Sequence, residues 1–378
     1  MVNSVYHNRL LNSLSLPEIT SSNTKSCFTK KVFFLIVGYV CLSVKIVKIV
    51  FRYIFSNEET RKKMVYDPIK SAIFYDSITS KSLDVLDLKD IELLEEHLKP
   101  GDIVFTMRGP KNFRMIPFWV QWLLRPFVIG PKADLSLHCC THVSTYTQDR
   151  DGKSWIVESD VDPGDNLVKF KLSSNGFQNK KNDDRFYRIL RIKDNDLAKR
   201  VNDINLRLAV EYKDGDNRRK SNIKYDYKRC AYATIFPSIF TRSVRQNMLA
   251  FAAIVSLPEQ KDKMQLHGKF MCSQFSASVI QAAEMQLILE RLEKKYRDPL
   301  LKIPVFDPSN PKEVLKSWSA KVLEKYDKEI KKQVVVRCDP DYITPQKLYS
   351  KFVRNESFEV KYSVVDKENN EALKIGMR

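Results

Sequence analysis

Phe270-Met271-Cys272-Ser273-Gln274-Phe275 is the stretch on which the reading of this chain turns. It joins the end of a short apolar segment to an amphipathic helix. The spacing of Ser276, Val279, Ile280, Ala283 and Leu287, three and four apart, predicts that helix. A cysteine at a helix N-terminus meets unpaired backbone N–H groups and the positive end of the helix dipole. Both favour the thiolate, which is the nucleophilic form. A histidine elsewhere, in Thr141-His142-Val143, sits in a strand-like run and is a candidate base. A thiol and a base are the minimum equipment of a thiol hydrolase or acyltransferase.

A third residue completes the set. Glu158 falls near the end of the strand expected after the Asp149–Lys153 turn. In an antiparallel pair it comes within reach of His142. A carboxylate beside an imidazole fixes its tautomer and supports its positive charge. Read singly, each residue has a plainer role: Cys272 a small buried hydrophobe, His142 a strand residue, Glu158 a solvated turn residue. His267 is nearer to Cys272 in sequence, but a residue before the helix need not face the site, and His142 is preferred. His7 and His97 lie outside the expected core and carry no signal.

Working outward, strands are expected at 141–147, 154–158, 167–172 and 185–192, with Gly101-Asp102-Ile103-Val104-Phe105 as a turn entering another. Helices are expected over 195–212, within 229–256, from Cys272 to about Tyr296, and over 312–333. The proline-rich stretch 298–311 reads as a connector. The fold class is therefore α+β. The chain divides into a polar leader (1–31), an apolar segment (32–55), a helical connector (56–97), a catalytic domain (98–297), a helical extension with a closing segment (298–353) and a charged, loosely ordered tail (354–378).

Composition narrows the chemistry. Hydrophobic residues make up 43%, enough for a proper core. Only 10 residues are glycine, and no Walker or dinucleotide fingerprint is present. The seven cysteines are odd in number and irregularly spaced, unlike a disulfide framework, which favours a reducing compartment. The net charge of +18 suits an acidic partner. Residues 1–66 hold ten Lys/Arg against three Asp/Glu, so the N-terminal part is disproportionately basic. With no RNA-binding aromatic signature and no zinc-finger spacing, nucleic acid is the weaker choice and an anionic membrane surface the stronger.

The segment from Val32 to Phe55 supports that choice. Its uninterrupted apolar run is too short to cross a bilayer, but extended to Phe51 it reaches the required length of about 20 residues. Lys45, Lys48 and Arg52 share one helical face, with Ile46, Ile49, Val50 and Tyr53 on the other. A single span, an interfacial anchor and an apolar helix packed on the domain all fit. For a span, the heavier positive charge after the segment puts the large C-terminal part on the cytoplasmic side.

The order Gly101-Asp102-Ile103-Val104, Thr141-His142-Val143, Val157-Glu158, Tyr225-Asp226, Met271-Cys272-Ser273 resembles the permuted papain-like cysteine hydrolases. These form the YiiX/YaeF-like branch of the NlpC/P60 superfamily, related to lecithin:retinol acyltransferase. The resemblance covers roughly residues 98–285, and the later segment Asp339-Pro340-Asp341-Tyr342-Ile343-Thr344-Pro345-Gln346-Lys347-Leu348 is similar to that family's closing segment. It implies a circularly permuted papain-like antiparallel sheet with the nucleophile at a helix N-terminus, plus helical additions and an N-terminal apolar helix. It implies Cys272 as nucleophile, His142 as base, Glu158 as third polar residue and Tyr225 as a possible oxyanion donor, with no cofactor. Two positions depart from the family pattern: Gln274 stands where an acid is common, and Ser144 where glycine is usual.

The implied reaction is attack on an amide or ester carbonyl through a thioester. The apolar N-terminal segment and the aromatic stretch with Trp119 and Trp122 favour a lipid-like or membrane-associated substrate, with those tryptophans as binding residues. A rival reading places zinc on His138, Cys140 and His142, which share one face of a strand; no fourth ligand group is evident, and no metal is expected. A further alternative is a membrane-tethered interaction module of the same fold without catalysis.

Overall fold

The computed structural model describes residues 43–109, 139–160, 166–172, 184–211, 223–225, 233, 236, 238–256, 268–305 and 312–374. The described chain opens with helix α1 (43–55) and α2 (Glu58–Phe74), the latter capped by Asn57, whose side chain accepts from the Thr60 N–H. There follow β1 (Tyr75–Asp76), β2 (Lys81–Ser82), β3 (Asp84–Asp87), α3 (Ile91–His97) and β4 (Ile103–Arg108). Next come β5 (Cys139–Gln148), β6 (Ser154–Asp160), β7 (Asn166–Lys171), β8 (Phe186–Ile192) and α4 (Asn195–Leu208). Short β9 (Val210–Glu211) and β10 (Ile223–Tyr225) precede α5 (Arg242–Ser256), β11 (Gly268–Phe270) and α6 (Cys272–Tyr296). The chain then forms α7 (Lys312–Gln333), α8 (Pro345–Val353), β12 (Phe358–Val365) and α9 (Glu371–Lys374).

The main sheet has the strand order β3-β12-β8-β4-β5-β6-β7-β9. The pairs from β12 to β7 are antiparallel; only β3 and β9, at the two edges, pair in parallel. Strand β4 explains the two-sided burial. Ile103, Phe105 and Met107 enter a large core shared with helices α4 to α8, while Val104 enters a smaller core with Tyr146, Ile156, Ile189 and Leu94 of α3. Alternation along a strand delivers neighbours to opposite faces, so an all-apolar run such as Ile103–Phe105 belongs at the centre of a covered sheet.

The turn before β4 depends on its glycine. Gly101 has φ 89°, and a β-carbon there would lie 2.5 Å from the Ala198 carbonyl oxygen of α4. Only glycine tolerates both the left-handed backbone and the approach. Asp102 beside it is buried and takes a bidentate contact from Arg191 at 3.0 and 2.7 Å. Burial raises the Asp102 pKa, and the Arg191 guanidinium works against that rise.

Helix α6 is buried along most of its length, from Cys272 to Leu289, because the sheet, α4, α5 and the 334–343 segment surround it. Among its buried polar residues, Gln281 donates to the Val336 and Cys338 carbonyls, and Gln286 to that of Ala252.

Two expected boundaries change. Residues 56–97 are not a separate connector, since β3 joins the sheet and α3 covers its second face. The tail is not loosely ordered at 358–365, where β12 lies inside the sheet between β3 and β8. The alternation of Phe358, Val360, Tyr362 and Val364 with Glu359, Lys361 and Ser363 is a strand signal that the surrounding charge obscured. No described helix is long and apolar enough to cross a membrane.

Candidate active site

Cys272 is the first residue of α6, and Met271 before it is extended, with φ −91° and ψ 160°. Methionine offers no capping oxygen. Gln274 supplies part of that function: its Oε1 accepts from the Met271 N–H at 3.3 Å, while its Nε2 donates to Asp341 Oδ1 at 2.6 Å. Strand β11 runs directly into this helix start. It is tied to β6 by Ser159, whose hydroxyl donates to the Phe270 carbonyl at 3.2 Å.

His142 is aimed by an irregularity in β5. Thr106 of β4 pairs with His142, but Met107 pairs with Cys140, so Thr141 is an extra residue. Such a bulge twists the strand locally and redirects side chains. The β5–β6 register runs from Gln148↔Ser154 to Thr145↔Val157, and His142 and Glu158 lie beyond that end. Each is held by its outer neighbour instead, His142 by β4 and Glu158 by Val168 of β7.

The two side chains meet there, with His142 Nε2 2.9 Å from Glu158 Oε2. The imidazole is also hydrogen-bonded to the Cys272 side chain. Burial opposes a charged ring. The negative forms of Cys272 and Glu158, and the hydrogen bonds to both, outweigh it and raise the His142 pKa well above its usual value. The His142 side chain is 20% exposed and Cys272 only 2%, so solvent reaches the site from the imidazole side. Glu158 is buried, and its Oε1 has no hydrogen-bond partner among the described residues. Its charge is thus matched chiefly by the ring.

The 339–348 segment holds both halves of the site. Ser273 donates to the Ile343 carbonyl at 2.6 Å, and Gln274 reaches Asp341. On the other side, Gln346 Oε1 accepts from the Cys140 N–H at 2.7 Å, beside the bulge. The segment turns into α8 at Thr344, whose hydroxyl accepts from the Lys347 N–H at 3.2 Å, with Pro345 at the first helical position and Leu348 fully buried. Asp341 and Gln346 lie in the closing segment that the sequence marked, but it gave neither a supporting role. Their partners are 67 and 206 positions away, so no local pattern could have shown those contacts.

Cys272, His142 and Glu158 therefore come together. Tyr225 ends β10, where the parallel register sets it opposite Phe270; its side chain lies outside the described part. Trp119 and Trp122 lie outside the described residues, as do His138 and His267. Of the zinc set, Cys140 is fully buried with its thiol toward the His142 carbonyl, and no group of three or more His, Cys, Asp or Glu among the described residues could hold a metal. His97 is engaged elsewhere, with Nδ1 2.9 Å from the Leu93 carbonyl oxygen and its ring edge-on to Tyr362.

Comparison with protein-family models, with curated proteins and with solved structures finds no match in any of the three.

Proposed function

We propose that this chain is a papain-like cysteine hydrolase or acyltransferase of permuted layout, acting on an amide or ester carbonyl of a membrane-associated or lipid-like substrate. The observation that carries the reading is the position of His142, bonded to Glu158 on one side and to a cysteine at a helix N-terminus on the other. The Cys272 thiol gives its proton to His142 as its sulfur attacks the acyl carbon, and an S–C bond forms. The carbonyl electrons move to oxygen, where the first-turn N–H groups of α6, lacking helical acceptors, are suited to stabilise the oxyanion. The tetrahedral intermediate collapses as the C–N or C–O bond breaks, and the His142 imidazolium gives its proton to the departing amine or alcohol. Neutral His142 then takes a proton from water or from an acceptor hydroxyl or amine. That nucleophile resolves the thioester and returns the thiol and imidazole to their starting state. Glu158 keeps the ring oriented and supports its charge in each step. Tyr225 is assigned as a candidate oxyanion donor on its register position, and Trp119 and Trp122 as substrate contacts on their composition.

Burial of Cys272, at 2% exposed, favours a second reading: an interaction module of the same fold without turnover. Iodoacetamide labelling of Cys272 across pH, mapped by peptide mass spectrometry, separates the two. An enzyme is expected to label rapidly well below the free-thiol pKa of about 8.5. That acid limb should be lost in His142→Ala and reduced in Glu158→Gln. Slow labelling that ignores both substitutions would sink the catalytic reading.

A further inference from the structure

Helix α1 presents three faces. Ile46 and Tyr53 are buried in the main core, and Ile49 and Val50 pack against it, so one face is docked along the helix. A second face is apolar and open: Val44, Val47, Phe51, Ile54 and Phe55 are between 45% and 75% exposed. At about 100° per residue these five fall within one arc of roughly 100°. Phe51 and Phe55 stand together on it, ring centroids 5.2 Å apart. The third face holds Lys45, Lys48 and Arg52, all exposed, in the arc next to the apolar one. None of the three is in an ion pair among the described residues, and 43–55 contains no acidic residue.

From this arrangement we propose that α1 is an in-plane docking element for an anionic lipid bilayer. The apolar arc enters the headgroup–acyl boundary, and the basic arc meets lipid phosphates and carboxylates beside it. Because the opposite face is attached to the domain, residues 43–55 meet a bilayer along their side. Charge selects this occupant over a second copy. Two copies bring like basic arcs together under a net charge of +18 each, whereas an anionic surface attracts both.

The inference concerns the membrane part of the proposed function and not its chemistry, so a Cys272→Ser variant is expected to bind vesicles as wild type does. The test is flotation of the full chain with phosphatidylcholine vesicles, with and without phosphatidylserine, at low and high salt. Wild type is expected to bind the phosphatidylserine vesicles and to release in high salt. Phe51→Asp with Phe55→Asp should weaken binding at least tenfold. Lys45→Glu, Lys48→Glu and Arg52→Glu together should weaken it by about 100-fold or more. Each variant should keep the wild-type melting temperature. Wild type that ignores the vesicles, or that pairs with itself through this face instead, overturns the proposal. So does retention of full binding by the two variants, which leave residues 1–42 intact and would assign the contact to them.

Discussion

Helix α6 has a buried thiol and a buried carboxylate near it at two places, and the two places differ in kind. At its N-terminus, Cys272 and Glu158 have the His142 imidazole between them. Further along the helix, Glu284 accepts from the Val336 N–H at 3.2 and 3.3 Å and lies near Cys338, with no imidazole of the described residues between. There burial dominates. It pushes the Cys338 thiol up to about 12, with Lys351 opposing only weakly, and raises Glu284 to about 8 despite the backbone N–H bonds. Both groups stay protonated at neutral pH. At the helix start the same low-dielectric surroundings are outweighed by opposite charge, and the histidine pKa goes up although burial alone would lower it. Burial by itself holds such acids protonated; negative neighbours around an imidazole hold the ring charged instead.

The sharpest way to break this contrast is to label both cysteines in one sample. At pH 7 a thiol with a pKa of about 12 is ionised to roughly one part in 10⁵. Cys272 in native wild type should therefore react at least ~1,000-fold faster than Cys338. On the proposed reading, His142→Ala should lower Cys272 labelling at pH 7 by about tenfold or more, because the ring beside the thiol is lost. Labelling of Cys272 that is unchanged in His142→Ala would show that the imidazole makes no difference.

A second measurement sharpens the other side. The folded-state pKa of Glu284, about 8, lies above its ordinary 4.5, so the folded protein holds one more proton than the unfolded chain between those values. Its stabilising effect is fully present below pH 4.5 and is lost as pH rises to 8. The slope is about 1.4 kcal/mol per pH unit. Glu284→Gln should remove that part of the slope and gain stability over wild type at pH 8 by a few kcal/mol. Denaturant midpoints at pH 5 and pH 8 report it, and parallel wild-type and variant curves would contradict the assignment.

The smallest expected effect concerns support. Gln274→Ala deletes the bonds to Met271 and Asp341, at about 1 kcal/mol each. Stability should fall by roughly 1–2 kcal/mol, and Cys272 labelling only a few-fold, since His142 and Glu158 keep their own supports. A loss as large as that of His142→Ala would make Gln274 part of the reacting group.

Much of this arrangement is legible from local pattern. The apolar spacing after Cys272 marks a helix that begins at that residue and ends at Tyr296, as expected. The helix expected at 312–333 spans Lys312–Gln333. The strands bearing His142 and Glu158 form the antiparallel pair that the Asp149–Lys153 turn suggests. Other features were less legible. The helix expected at 195–212 stops at Leu208, because the chain turns there into edge strand β9. Strand β12 was hidden by the charges around it, although apolar and polar residues alternate in sequence from Phe358 to Val364; a register shift between Val360 and Tyr362 then sends Phe358 and Val360 to one core and Tyr362 and Val364 to the other. The apolar segment ending at Phe55 fitted three roles, and its described part combines two of their features: a face packed on the domain and an exposed apolar face.

Sequence alone determined most of the helices and strands around the site and the candidate reactive groups, because helix spacing, strand alternation and a cysteine at a helix start are properties of neighbouring residues. Only the tertiary structure decided how those groups are held. The bulge at Thr141 depends on the partner strand, as does the open end of the β5–β6 register. The hold of residues 339–348 on both Cys272's helix and His142's strand joins segments far apart in the chain. The same is true of the charge balance on His142. A pKa depends on burial and on which charges lie within a few ångströms, and folding sets both.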